Sequence, residues 1–173
     1  MTTPNLLLKG FEVELFTGQS TGEHVGVAEQ VAAELPDFVT EPDRRNLEYI
    51  TEPIADYALL PEALLRPRRR LRQWLTTRNL TLLPGSTLSL GDSSRFERSD
   101  PTNPYHDLIE RLYGTRVVTA SIHINLGITD EEWLFAAVRL VRCEAALLLA
   151  LSASSPLVDG HRTGHHSQRW HQF

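Results

Sequence analysis

Glu12 and Glu14 stand two residues apart in the stretch Leu6 to Phe16, where Phe11, Val13 and Leu15 alternate with acids. An extended chain turns successive side chains to opposite faces. Both carboxylates therefore project from one face, about 7 Å apart at the backbone. Carboxylates placed in this way can bind neighbouring Mg²⁺ ions, which prefer oxygen ligands and substrate phosphates. They can equally face water, because like charges on a sheet face repel unless something positive sits between them. A second segment repeats the pattern with different chemistry. In Val117 to Leu126, Val118, Ala120, Ile122, Ile124 and Leu126 face one way, while Thr119, Ser121, His123 and Asn125 face the other. A lone histidine on a strand serves as a hydrogen-bonded structural residue as well as a ligand. The two strands together allow an oxygen-rich metal and phosphate site on a sheet face, with the solvated reading still open.

The elements that must position these groups can be read along the chain. Gly18 to Gly22 is a turn, and Val27, Ala28, Val31, Ala32 and Leu35 fall at helical spacing before Pro36. Leu47 to Thr51 reads as a short strand closed by Pro53. Pro61 to Arg78 reads as a helix with Leu64, Leu65, Leu71, Trp74 and Leu75 on one side, and Pro67 inside it predicts a kink or a late start. Thr81 to Leu83 and Thr87 to Leu90 read as short strands around the Pro84-Gly85 turn, and Gly91 to Pro104 as a long loop. Thr129 to Glu132 forms a capping box for a buried helix running to about Leu151. Strands and helices without regular βαβ alternation predict an α+β domain with a mainly antiparallel sheet.

Composition narrows the function classes. The apolar fraction of 41% and charged fraction of 23% are those of a globular protein. A net charge of −5 argues against a nucleic-acid or anionic-membrane surface. The basic run Arg66, Arg68, Arg69, Arg70 and Arg72 reads as a solvated helix face. Cys143 is the single cysteine, so no internal disulfide can form, and it reads as a small buried hydrophobe in a reducing compartment. Met1 to Asn5 lacks the features of a signal peptide, and Arg139, Arg142 and Glu144 interrupt the most apolar segment. A cytoplasmic protein with no membrane span is the expectation. The chain stops at Phe173 just after the polar, histidine-rich stretch Gly160 to His171, which reads as a cut. His161, His165, His166 and His171 read as a loop and not as a metal tract.

Five motifs in order then carry a resemblance. Gly10-Phe11-Glu12-Val13-Glu14 is similar to the Gly-x-Glu-x-Glu strand that opens glutamate–cysteine ligases. Leu47-Glu48-Tyr49-Ile50-Thr51-Glu52-Pro53 resembles their Glu-aromatic-Ile-Thr segment, and Ser121-Ile122-His123-Ile124-Asn125 their His-x-Asn strand. Leu151 to Pro156 is similar to their small-residue turn, and Thr163 to Arg169 to their Thr…Ser-x-Arg element. The wording looks closest to the cyanobacterial-type branch. Members of the family are longer, and the resemblance covers their N-terminal part, so that residues 1–173 read as the front of a single catalytic domain.

The resemblance implies a glutamine-synthetase-like fold with a curved antiparallel sheet, incomplete at its C-terminal side. It implies that Glu12, Glu14, Glu48 and His123 hold Mg²⁺ against the phosphates of ATP, with Asn125 a polar contact. Arg169 would meet a substrate carboxylate or the transferring phosphoryl group. The implied reaction joins the γ-carboxylate of glutamate to the amine of cysteine through γ-glutamyl phosphate, the first step of glutathione biosynthesis. Arg44 and Arg45 stand where some branches carry another glutamate, so that Glu41 or Glu52 is expected to supply the acid there. Other readings are a ligase with a different amine acceptor, a fragment that folds or binds a partner without turnover, and a metal-dependent hydrolase.

Overall fold

A computed structural model describes residues 7–172 of the chain. The segment Met1 to Leu6, on which the start of the expected first strand and the signal-peptide reading fall, lies outside the described residues, as does Phe173. The architecture is the expected α+β one. One antiparallel sheet contains β1 (Leu8–Gly18), β2 (Phe38–Thr40), β3 (Asn46–Ile50), β4 (Thr81–Leu83) and β5 (Ile122–Gly127). A separate hairpin pairs β6 (Leu157–Val158) with β7 (His161–Arg162).

The 11-residue β1 organises the sheet. Its second half pairs with β3 on one edge, and β2 continues beyond β3. On the other edge β5 pairs with Leu8 to Val13 and β4 with Phe16 to Gly18, so two strands share one edge end to end. Gly18 ends β1 where a Cβ would come within 2.1 Å of the Glu23 carbonyl oxygen, so no side chain fits there.

Alternation along β1 divides the molecule into two cores. Val13 and Leu15 point to the face covered by α1 (Ala28–Glu34) and α2 (Leu60–Thr76), where they meet Val31, Phe38, Leu47, Tyr49, Leu71, Trp74 and Leu75. Phe16 points to the opposite face and is fully buried by Leu83, Leu88, Val118 and Ala120. The helix containing Pro67 runs unbroken from Leu60 to Thr76 with the proline buried. Its arginines are exposed as expected, with Arg69 paired to Glu62 and Arg70 to Asp37. A further helix, α3 (Pro104–Tyr113), follows the long loop.

The region after Ser121 departs from expectation. The regular strand begins at Ile122, and Thr87 to Leu90 forms no strand. The segment Trp133 to Leu151 is two helices, α4 (Glu131–Cys143) and α5 (Ala145–Leu151), separated at Glu144, where ψ is 6°. Neither is buried: Trp133 is 68% exposed and Leu151 76%, because none of the described residues covers them. Cys143 is exposed for the same reason, contrary to its reading as a buried hydrophobe. The cap is Asp130, whose side chain accepts from the Trp133 amide at 2.9 Å. No helix of the described residues is long and apolar enough to cross a membrane.

Candidate metal centre

The face of β1 that carries Glu12 and Glu14 is closed at one end by the Phe16 cluster and open at the other. Register brings the partners together. Glu14 lies opposite Glu48 on β3, while Glu12 lies opposite His123 and Gly10 opposite Asn125 on β5. Directly opposed residues of an antiparallel pair share a face. All five side chains therefore project over one patch of sheet.

Two subsites result. In the first, Glu12 binds two neighbours: His123 Nδ1 lies 2.8 Å from Oε2, and Asn125 Nδ2 donates to Oε1 at 2.9 Å. These hydrogen bonds, that of His123 foremost, hold the Glu12 carboxyl below the usual range. In the second, carboxylate oxygens of Glu14, Glu41 and Glu48 lie within 4.8 Å of one another. Glu14 is oriented by the Ser121 amide, which donates to Oε2 at 2.9 Å, and by Asn46 Nδ2 at 3.5 Å. Burial and the neighbouring charges of Glu14 and Glu48 push Glu41 up to about 7, and burial with the same kind of repulsion raises Glu48. At an effective dielectric of about 20, two such charges at this separation repel by roughly 3 kcal/mol. Without a metal, the crowding of carboxylates favours a proton on Glu41. A hard divalent cation suits the same donors, since Mg²⁺ selects carboxylate oxygens. His123 Nε2, 3.8 Å from Glu14 Oε1, stands between the subsites.

Of the two candidate acids, Glu41 is the one that lies beside Glu14 and Glu48. Glu52 is exposed and lines an apolar trough farther along the face, a cavity of about 560 Å³ between Leu8, Gly10, Ile50, Asn125, Leu126 and Gly127. The two glycines keep its floor clear. Arg169 approaches from the closed side, on the turn Gln168–His171: its Nη2 donates to Ser121 Oγ at 2.7 Å, and its buried Nε has no partner among the described residues. Ser121 thus joins Arg169 to Glu14. His161, His165, His166 and His171 are exposed, and His165 stacks on His171 at 3.8 Å.

Sequence reasoning underweighted Asn46. It is 3% exposed and donates through Nδ2 to the Thr119 carbonyl at 2.8 Å as well as to Glu14. Its position two residues before Glu48 on a strand was a usable signal.

Structural neighbours share this arrangement of sheet and helices. A bifunctional glutathione synthetase from Pasteurella multocida superposes with a TM-score of 0.67 at 18% identity, covering 87% of this chain and 24% of that one. A glutamate–cysteine ligase from Francisella tularensis, solved in complex with AMP, gives 0.53 at 15% identity, covering 82% of this chain and 30% of that one. At such identities the likeness concerns the fold. Among curated relatives, a Rhodococcus jostii protein provisionally named glutamate–cysteine ligase 2-1 is 29% identical over 92% of this chain and 45% of its own length. A Rubrobacter xylanophilus protein of the same provisional name is 31% identical over 92% of this chain and 44% of its own length. The chain thus spans somewhat less than half the length of these relatives. The model of glutamate–cysteine ligase family 2 matches residues 8–173. That match runs through both acidic strands, the His-x-Asn strand and the arginine turn, and the chain belongs to glutamate–cysteine ligase family 2.

Proposed function

We propose that the carboxylate face is a Mg²⁺ site for ATP-dependent ligation, in which the γ-carboxylate of glutamate is joined to the amine of cysteine as the first step of glutathione biosynthesis. One observation carries this reading: Glu14, Glu41 and Glu48 converge within 4.8 Å beside the Glu12–His123 pair on an open face. Such a concentration of negative charge requires protons or a cation.

Glu12, Glu14, Glu41, Glu48 and His123 would hold Mg²⁺. When bound, Mg²⁺ would neutralise the ATP phosphates and the substrate carboxylate that must approach them. Arg169, with a guanidinium nitrogen free of partners among the described residues, would bind a substrate carboxylate or the transferring phosphoryl group. The trough beside Asn125 has the size and apolar lining of a small-molecule site and would take the nucleoside. The γ-carboxylate then attacks the γ-phosphorus of ATP in line, forming γ-glutamyl phosphate and releasing ADP. The amine of cysteine displaces phosphate to form the amide. The residues of this chain contribute position and fixed charge. This chemistry, with a single free thiol, fits a cytoplasmic protein whose partners are small molecules.

ADP release from ATP and Mg²⁺ tests the reading, with glutamate and cysteine added singly and together. Release that needs both, and that Glu12→Gln abolishes without changing the thermal melting curve, is the expected outcome. Release with glutamate and a different amine would move the acceptor away from cysteine. ATP and Mn²⁺ binding without turnover would confine this chain to binding. Release indifferent to both amino acids, or full activity in Glu12→Gln, would overturn the assignment.

A further inference from the structure

Of the four acids on the carboxylate face, Glu41 alone lies outside a strand. Glu12 and Glu14 belong to β1 and Glu48 to β3, whereas β2 ends at Thr40. Sheet register therefore does not place Glu41. The connection from residue 41 to residue 46 does, and it is anchored elsewhere.

That anchor is a buried ion pair. Arg45 and Asp43 have side chains 1% and 2% exposed, and they meet through two parallel hydrogen bonds, Nε to Oδ1 at 2.8 Å and Nη2 to Oδ2 at 2.7 Å. The remaining donors of the guanidinium reach into the loop after Gly91: Nη1 donates to the Asp92 carbonyl at 2.9 Å and Nη2 to the Arg95 carbonyl at 2.7 Å. Asp43 Oδ2 accepts from the Glu97 amide at 2.9 Å. The same loop then runs beside the Glu41 connection. The Ser99 amide donates to the Pro42 carbonyl, the Arg44 amide to the Glu97 carbonyl, and Ser99 Oγ to the carbonyl of Glu41 itself at 2.5 Å. One guanidinium thus ties together the two segments that fix the Glu41 backbone.

We infer that Arg45, acting through Asp43 and the 92–99 loop, is the positioning residue that holds Glu41 within reach of Glu14 and Glu48 and so sets the cation affinity of the cluster. The inference rests on the metal reading of the carboxylate face. A buried pair that only braced the fold would have no need to gather backbone carbonyls from the loop that is hydrogen-bonded to the Glu41 backbone. Lysine keeps the charge but cannot form two aligned bonds to a carboxylate while also reaching two carbonyls. Residues that orient metal ligands typically govern affinity by about 10–100-fold.

The test is Mn²⁺ binding to the full 173-residue chain, followed by electron paramagnetic resonance, with thermal melting recorded on each variant. Four variants are needed: Glu41→Gln, Arg45→Lys, Ser99→Ala and Leu75→Ala. Wild type should bind Mn²⁺, and Glu41→Gln should weaken it. If wild type fails to bind, or Glu41→Gln binds as well as wild type, the metal reading itself falls. Arg45→Lys should weaken Mn²⁺ binding by about 10-fold or more. Leu75→Ala, a core change remote from the loop, should lower the melting temperature and leave Mn²⁺ affinity unchanged. Should Arg45→Lys fail to fold, Ser99→Ala decides, since it removes only the hydroxyl bonded to the Glu41 carbonyl and should also weaken binding. Glu41→Gln weakening Mn²⁺ while Arg45→Lys, or Ser99→Ala in its place, leaves it at the wild-type value would reduce the clamp to a brace of the fold and overturn the inference.

Discussion

The chain before Ser121 and the chain after it obey different rules of construction. Every residue of the two apolar clusters falls between Phe11 and Ala120. From Ile122 to Ser154, by contrast, no residue is buried. Yet β5 holds its register with β1 over Leu8 to Val13 and delivers His123 and Asn125 to Glu12. Backbone pairing therefore suffices to place these two side chains, while Ile122, Ile124 and Leu126 remain 62%, 63% and 49% exposed on the other face. Half of the site stands on a packed core and half on a ladder of hydrogen bonds. The apolar side chains of β5 and α4 are left uncovered by the described residues.

The sharpest way to break this contrast is to remove apolar bulk on each side of it. Leu75→Ala empties a fully buried position and should cost about 2–5 kcal/mol, read from the urea midpoint. Leu140→Ala on α4, at a position 61% exposed, should stay within about 0.5 kcal/mol. Equal losses would show that α4 is covered in solution and that the two regions form one core.

A second contrast lies between two titrating groups of the first region, Glu41 half-buried and His24 buried, and pH separates them. Glu41, pushed up to about 7, holds its proton more tightly in the folded chain than in the unfolded one. Its stabilising contribution is complete below about 4.5 and is lost as pH rises through 7. His24 is lowered to about 4, chiefly by burial and then by Arg45. Its contribution is complete above about 6.5 and is lost as pH falls toward 4. Between these limits the two oppose each other. Measured against Glu41→Gln, the metal-free wild type should therefore lose stability from about pH 6 to 8, because the titration of unfolded His24, centred near 6.5, is common to both proteins. Glu41→Gln should keep only the His24 rise in that window, and added Mg²⁺ should remove the difference between the two proteins. Urea midpoints across the pH series check this. A pH profile unchanged in Glu41→Gln would remove Glu41 from the cluster.

What sequence could reveal follows the same division. The alternation of Glu12 with Glu14 and of His123 with Asn125 placed these four side chains on one face, because period 2 fixes a face whatever packs against it. That Glu14 stands opposite Glu48 is a matter of register, which alternation leaves open and which only the family resemblance suggested. Glu41 was one of two candidates because it lies beyond the end of β2, where the position of a side chain depends on tertiary hydrogen bonds from residues 97–99. The helix α3 escaped notice although Asn103-Pro104 is a usable start signal: the Asn103 side chain caps the Tyr105 amide and proline occupies the first turn. The expectation of a buried helix at Trp133 to Leu151 went wrong because apolar content shows that a helix seeks a partner, and nothing local shows whether one is present.

The smallest effect concerns the open end of the face, where the first region meets the second. Gly10 on β1 lies opposite Asn125 on β5, and a Cβ added there would meet only the Asn125 Cβ at an ordinary 3.9 Å. A longer side chain at that position would extend over the floor of the trough without disturbing either core. Gly10→Leu should therefore leave the urea midpoint within about 0.5 kcal/mol and Mn²⁺ affinity unchanged. Its expected cost is confined to the nucleotide: Mg·ADP should bind roughly tenfold more weakly, a loss of about 1.4 kcal/mol, by isothermal titration. Unchanged ADP binding would move the nucleoside out of the trough. Simultaneous loss of Mn²⁺ would instead show that the β1–β5 ladder yields to a single side chain. In that case the second region would hold His123 and Asn125 less firmly than its register suggests, because a strand that buries nothing has only its backbone bonds to resist displacement.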